Sequence, residues 1–94
     1  MRHSAKNVVY HELIGLKVAV ILHSDPTLIG LQGTVIDETK YTLKVRTEEG
    51  DKCVPKLYGV FRFQLPNGLE VDVDGSLIVG RPEDRVKRVK LRLP

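Results

Sequence analysis

The chain has 94 residues, 41% of them hydrophobic, with two Phe, three Tyr and no Trp; a chain of this length buries only about two thirds of its unfolded surface, which leaves room for one aliphatic core and excludes a second domain. Its single cysteine, Cys53, excludes an internal disulfide, and no run of about 18 apolar residues or charged-then-apolar leader is present, so a cytoplasmic protein that does not enter a membrane is expected. The net charge is +3, but residues 81–94 hold six bases (Arg81, Arg85, Lys87, Arg88, Lys90, Arg92) against two acids, while the other eighty residues hold nine bases against ten acids: a near-neutral body with a basic appendage suits phosphate contact, although a solvated helix face would carry the same charge.

Ser4 or Asn7 can cap a short helix through Val8, Val9, Tyr10, Glu12, Leu13 and Ile14, and Gly15 can take the left-handed conformation that ends it. From Leu16 the period changes. Lys17-Val18-Ala19-Val20-Ile21-Leu22 reads as a mostly buried strand bounded by the turn residues Ser24-Asp25-Pro26. Gly30 and Gly33 precede a second strand at Thr34-Val35-Ile36, which stops at Asp37-Glu38-Thr39. In a third, Leu43, Val45 and Thr47 alternate with Lys44 and Arg46, burying one face and charging the other, before a turn at Glu49-Gly50-Asp51.

Phe61, Phe63 and Leu65 share one face of the next strand, residues 60–65. Asn67-Gly68 then signals a hairpin with a type I′ turn, in which both residues take positive φ, leading into residues 69–73. Asp74-Gly75 turns the chain into a last strand, Ser76-Leu77-Ile78-Val79. After Gly80, Pro82 suits the first turn of a C-terminal helix, with Glu83 and Asp84 at its positive end and the later bases at its negative end. The expected fold is therefore all-β: a small, strongly bent antiparallel barrel of about six strands over residues 16–80, of Sm-like, SH3-like or OB size, framed by a helix in residues 1–15 and a basic helix or tail in residues 81–94, all one domain.

No catalytic constellation emerges. His3, His11, His23 and Cys53 match no zinc spacing, so no metal or other cofactor is expected. His23-Ser24-Asp25 are consecutive turn residues and cannot place a base against a nucleophile. Asp37, Glu38, Glu70, Asp72 and Asp74 are residue types that hold magnesium in nucleases, but solvated strand faces and turn caps account for them. Lys44, Arg46, Lys56, Arg62 and the C-terminal bases suit phosphates, and with only Tyr10, Tyr41 and Tyr58 as stacking candidates, at least two of which read as core or rim packing, recognition of RNA shape and backbone is expected.

Three segments together carry a more specific signal: His11-Glu12-Leu13-Ile14-Gly15-Leu16-Lys17-Val18, residues 30–39, and Gly75-Ser76-Leu77-Ile78-Val79-Gly80-Arg81-Pro82-Glu83-Asp84-Arg85. They closely resemble the archaeal ribonuclease P protein component 1 family, relatives of the eukaryotic p29 subunit shared by ribonuclease P and ribonuclease MRP, over about residues 6–88. The resemblance implies an Sm-like bent barrel and a protein that assembles with ribonuclease P RNA, whose own metal-binding core removes 5′ leaders from precursor tRNA; the protein supplies no nucleophile. It also implies a small zinc-ribbon subunit and other ribonuclease P proteins as partners. On this reading Arg81 and Arg85, with Lys17, Lys56, Arg62, Lys87 and Arg88, are candidate RNA contacts, and Val9, Tyr10 and Leu13 are candidate partner contacts. Another Sm-like or ribosomal RNA-binding protein would share the barrel and the charge without the 75–85 segment.

Overall fold

The computed structural model describes residues 13–80. Six strands form one antiparallel sheet: β1 (Lys17–His23), β2 (Gln32–Glu38), β3 (Thr42–Thr47), β4 (Gly50–Pro55), β5 (Gly59–Gln64) and β6 (Glu70–Asp74), in the spatial order β4-β3-β2-β1-β5-β6. The expected strongly bent, barrel-like architecture is what forms, with β4 and β6 left as edges and not paired with each other. The helices expected at the two ends lie outside the described residues. The described chain begins with a turn at Ile14–Gly15: Leu16 N–H donates to the Leu13 carbonyl at 3.1 Å, and Gly15 takes φ +96°.

Two bulges help to bend the sheet. Between Val20 and Leu22 the register against β5 advances by one residue, leaving Ile21 extra, and between Val35 and Asp37 the register against β3 leaves Ile36 extra. An extra residue increases local twist and curls a strand. It also changes parity, which puts Leu22 on the outer face opposite Val60 and leaves it 58% exposed. At Gly33 a side chain is impossible, because a Cβ there would collide with the Arg46 carbonyl.

The core is Leu13, Leu16, Val18, Val20, Val35, Leu43, Val45, Val54, Phe61, Phe63, Leu65, Val71, Val73 and Ile78, with Leu28 and Leu31 packed against it. The expected alternation holds in β3 and β5, where Leu43, Val45, Phe61 and Phe63 point inward.

Three local expectations are corrected. Residues 76–79 are not a strand; Gly75–Ile78 is a 3₁₀ turn capped by Asp74, whose carboxylate accepts the Ser76 N–H at 2.9 Å. The sixth strand is instead β4, in a stretch whose sequence reads partly as turn, because an edge strand needs only one inward residue and Val54 is the one β4 buries. Opposite Val45, Lys52 sets a charge on the inner side of that edge, which discourages pairing with another sheet. Finally, the Asn67-Gly68 hairpin is not type I′. Gly68 has φ +87° but Asn67 does not have positive φ; Gly68 N–H donates to the Leu65 carbonyl and Leu65 N–H to the Leu69 carbonyl, each at 2.8 Å. Pro66 favours this three-residue loop, a turn followed by a glycine bulge, over the two-residue type I′ turn.

Candidate nucleic-acid interface

Strand register decides which polar side chains meet on the outer face. Lys17 in β1 lies opposite Thr34 of β2 and Gln64 of β5; Thr34 lies opposite Arg46 of β3, and Gln64 opposite Glu70 of β6. One row thus runs Arg46, Thr34, Lys17, Gln64, Glu70. The next brings Gln32, Ala19, Arg62 and Asp72 together. Both rows except Asp72 line an open groove that also takes in Lys52, Glu48 and Glu49, so its charge is mixed: Lys17, Arg46, Lys52 and Arg62 against Glu48, Glu49 and Glu70.

Two of those bases are already engaged. Arg62 donates through Nε and Nη2 to the two Asp72 oxygens at 2.7 and 3.1 Å, and Arg46 Nε reaches Asp51 at 3.3 Å. The Asp72 hydrogen bonds hold the Arg62 guanidinium above its ordinary value, and the same bonds hold the Asp72 carboxyl below the usual carboxylate range. A phosphate arriving at Arg62 must compete with that fork. Lys17 is exposed and, among the described residues, is in no ion pair.

Lys56, expected among the RNA contacts, is fully buried. Its Nζ donates to Glu38 Oε2 at 2.7 Å, to the Thr39 carbonyl at 2.8 Å and to the Gly80 carbonyl at 2.9 Å. A buried ammonium is tolerable only when its three N–H groups are all satisfied, and these three acceptors suffice. Lys56 therefore cannot reach a phosphate. The signal was present in the parity: Val54 points inward, and two residues on so does Lys56.

That ammonium closes the open end of the barrel. Gly80, with φ +101°, donates its N–H to the Lys40 carbonyl at 2.6 Å while its own carbonyl accepts from Lys56, so both backbone groups of the exit residue are held by the β2–β3 turn and by Lys56. A Cβ on Gly75 would collide with the Lys56 carbonyl oxygen, which brings the end of β6 against the end of β4. Residues 75–80, about half of the most specific sequence segment, thus form a closing device that ends at Gly80, just before the basic stretch 81–94.

The remaining candidates divide. Arg81, Arg85, Lys87, Arg88, Val9 and Tyr10 lie outside the described residues. Leu13, expected among the partner contacts, is 0% exposed and belongs to the core, whereas its neighbour Ile14 is 41% exposed. Tyr41 and Tyr58 are both on the surface, at 52% and 77% exposure, and neither packs in the core.

The carboxylates do not converge on a metal. Asp37 accepts the Glu38 N–H, Glu38 holds Lys56, Asp72 holds Arg62 and Asp74 caps a turn. Among the described residues no group of three or more His, Cys, Asp or Glu could hold an ion. Ser76 N–H keeps the Asp74 carboxyl below its usual range, and Thr27 does the same for Asp25, whose oxygen accepts both the hydroxyl and the N–H of Thr27.

The family model of the ribonuclease P/MRP p29 subunit matches residues 6–88. The chain belongs to that family. Among its relatives, ribonuclease P protein component 1 of Staphylothermus marinus is 50% identical over 90 residues, covering 95% of this chain and 98% of the relative. That of Methanocaldococcus jannaschii is 47% identical over 90 residues, 94% of each. The solved structure of Mth11, described as a homologue of the human RNase P protein Rpp29, superposes with a TM-score of 0.59 at 42% identity, covering 80% of this chain and 97% of that one. Within the p29 family frame, the Lys56–Gly75–Gly80 closure accounts for the two glycines of the sequence signature: Gly75 permits close packing and Gly80 permits a left-handed exit. Among the described residues, no helix is long and apolar enough to cross a membrane.

Proposed function

We propose that this ribonuclease P protein subunit binds the ribonuclease P RNA as an accessory protein, supports removal of 5′ leaders from precursor tRNA, and leaves bond cleavage to the RNA. The observation that carries this reading is the fixed backbone at Gly80, held by the Lys40 carbonyl and the Lys56 ammonium, immediately before the fourteen residues whose six bases hold all the excess positive charge. Arg81 and Arg85 are the main phosphate contacts, followed by Lys87 and Arg88. Lys17 and Arg62 on the outer face add weaker ones. The partner is a small zinc-ribbon ribonuclease P subunit, met by Val9 and Tyr10 in the N-terminal segment together with the exposed Ile14. Assembly takes place in the cytoplasm with the other ribonuclease P proteins.

The test is binding of the full chain to ribonuclease P RNA across a salt series. Removing one cation from the phosphate backbone lowers the slope of log K against log salt by roughly 0.7–0.9. Arg81→Glu with Arg85→Glu is expected to weaken binding and to flatten that slope while the barrel stays folded. A native fold with unchanged affinity and slope would remove both residues from the interface.

A further inference from the structure

We propose that Tyr58, with Tyr41 on the same end of the barrel, is a stacking platform for unpaired nucleobases of the RNA that the chain binds; the proposal rests on the accessory RNA-binding reading and deepens it. Tyr58 has φ +66°, and among the described residues it is the only non-glycine with positive φ. For a bulky side chain that conformation is strained, and glycine or asparagine would relieve it. Glycine is next door but is used for something else: Gly59 does not have positive φ, and a Cβ on it would collide with the His23 ring.

Nothing inside the described chain rewards the strain. The Tyr58 side chain is 77% exposed, and its ring and hydroxyl make no hydrogen bond, ring stack or ion contact with the described residues. Persistent strain in an otherwise well-braced loop points outward, to something the side chain meets when the protein is at work.

The loop is well braced. The Tyr58 carbonyl accepts the Ser24 N–H at 2.9 Å. His23 ties the end of β1 to the end of β4: its Nε2–H donates to the Pro55 carbonyl and its Nδ1 accepts the Asp25 N–H, both at 3.0 Å. The bracing fixes the backbone that presents this amphipathic, solvent-facing ring, so only the two side-chain torsions of Tyr58 are left to order when a base stacks on it.

Tyr41 joins the same end through its backbone. Its carbonyl accepts the Lys56 N–H at 2.8 Å, two residues before Tyr58, and its ring lies under the Lys40 ammonium at 5.2 Å from the centroid. Lys40 in turn holds Gly80, the root of the basic tail. Aromatic rings interleaved with cations match an unpaired nucleotide, whose base stacks while its phosphate meets the charge.

The experiment uses the full chain and ribonuclease P RNA, with Tyr58→Asn, Tyr58→Phe and Tyr41→Ala compared with the wild type by thermal unfolding and by affinity across a salt series. Asparagine tolerates the left-handed backbone, so Tyr58→Asn is expected to be at least as heat-stable as the wild type yet to bind RNA about tenfold more weakly, a typical loss for one stacked base. The salt slope is expected to stay unchanged, since no counterion is released by a ring. Tyr58→Phe should keep the affinity, and Tyr41→Ala should lose less than Tyr58→Asn. If the wild type binds and Arg81→Glu with Arg85→Glu weakens it, but Tyr58→Asn binds as tightly as the wild type, the platform is wrong and the accessory reading stands. If Tyr58→Asn instead impairs capture of a protein subunit with RNA affinity intact, the surface belongs to a protein and the proposal is overturned. If the wild type does not bind the RNA, the accessory reading itself fails first.

Discussion

Two ion pairs of the same length, 2.7 Å, sit at opposite extremes of burial. Lys56–Glu38 has side chains 0% and 1% exposed, while Arg62–Asp72 has side chains 43% and 47% exposed. In the first, water is gone, the ammonium is met by one Glu38 oxygen and by backbone carbonyls, and the pair becomes a structural joint between the β2–β3 turn and Gly80. In the second, water screens the charges, both groups can be drawn away by a competing ion, and the pair costs little to break. The comparison teaches that a basic residue in this small barrel is read by its depth: the buried Lys56 closes the fold, and exposed Arg62 and Lys17 are open to a competing anion.

The sharpest break in that contrast is Lys56→Met. It leaves the Glu38 carboxylate buried without its ammonium and is expected to cost about 3–5 kcal/mol in urea unfolding. Adding Glu38→Leu should recover much of the loss, because the stranded charge goes too. A smaller effect is expected at Gly75→Ala. The new methyl meets the Lys56 backbone rather than a flexible side chain, so the ends of β4 and β6 must move apart, at about 1–3 kcal/mol. A loss near zero for either variant would mean that the closure is not needed.

On the exposed side, Arg62→Ala should lower the urea midpoint only slightly and lower RNA affinity modestly, whereas a drop as large as that of Gly75→Ala would make Arg62–Asp72 a structural pair as well. The smallest effect is the acid limb of stability. Asp25, Asp72 and Asp74 are each held below the ordinary carboxyl value by hydrogen bonds from Thr27, Arg62 and Ser76. Their contribution is fully present above the unfolded carboxyl value, about pH 4, and is lost as pH falls through the lowered folded values. Urea midpoints measured from pH 7 to pH 2 should therefore hold above pH 4 and drop below it, and Asp74→Asn should make that drop shallower.

Strand parity explains what could be read from the sequence. Strands β3 and β5 are legible because Leu43, Val45, Phe61, Phe63 and Leu65 alternate cleanly with polar residues. The bulges at Ile21 and Ile36 are not, since an apolar residue that is extra looks the same as one that is paired. Strand β4 buries Val54 alone, too little for a period to show. Lys56 reads as an RNA contact because lysine is rarely fully buried, and its partner Glu38 is 18 residues away in the chain. Which of the three tyrosines stays exposed is not legible, because nothing in a tyrosine announces the left-handed backbone that Tyr58 adopts. The segment around Gly75 and Gly80 is recognisable as a family signature without its role in closure being visible.

The most direct measurement of the central claim is precursor-tRNA cleavage by ribonuclease P RNA reconstituted with its other protein subunits, with and without this chain, at low magnesium. Activity is expected to rise when the chain is added, to fall back with Arg81→Glu and Arg85→Glu, and to be absent with the chain alone. Cleavage that is indifferent to the chain, or cleavage by the chain without RNA, would contradict the account.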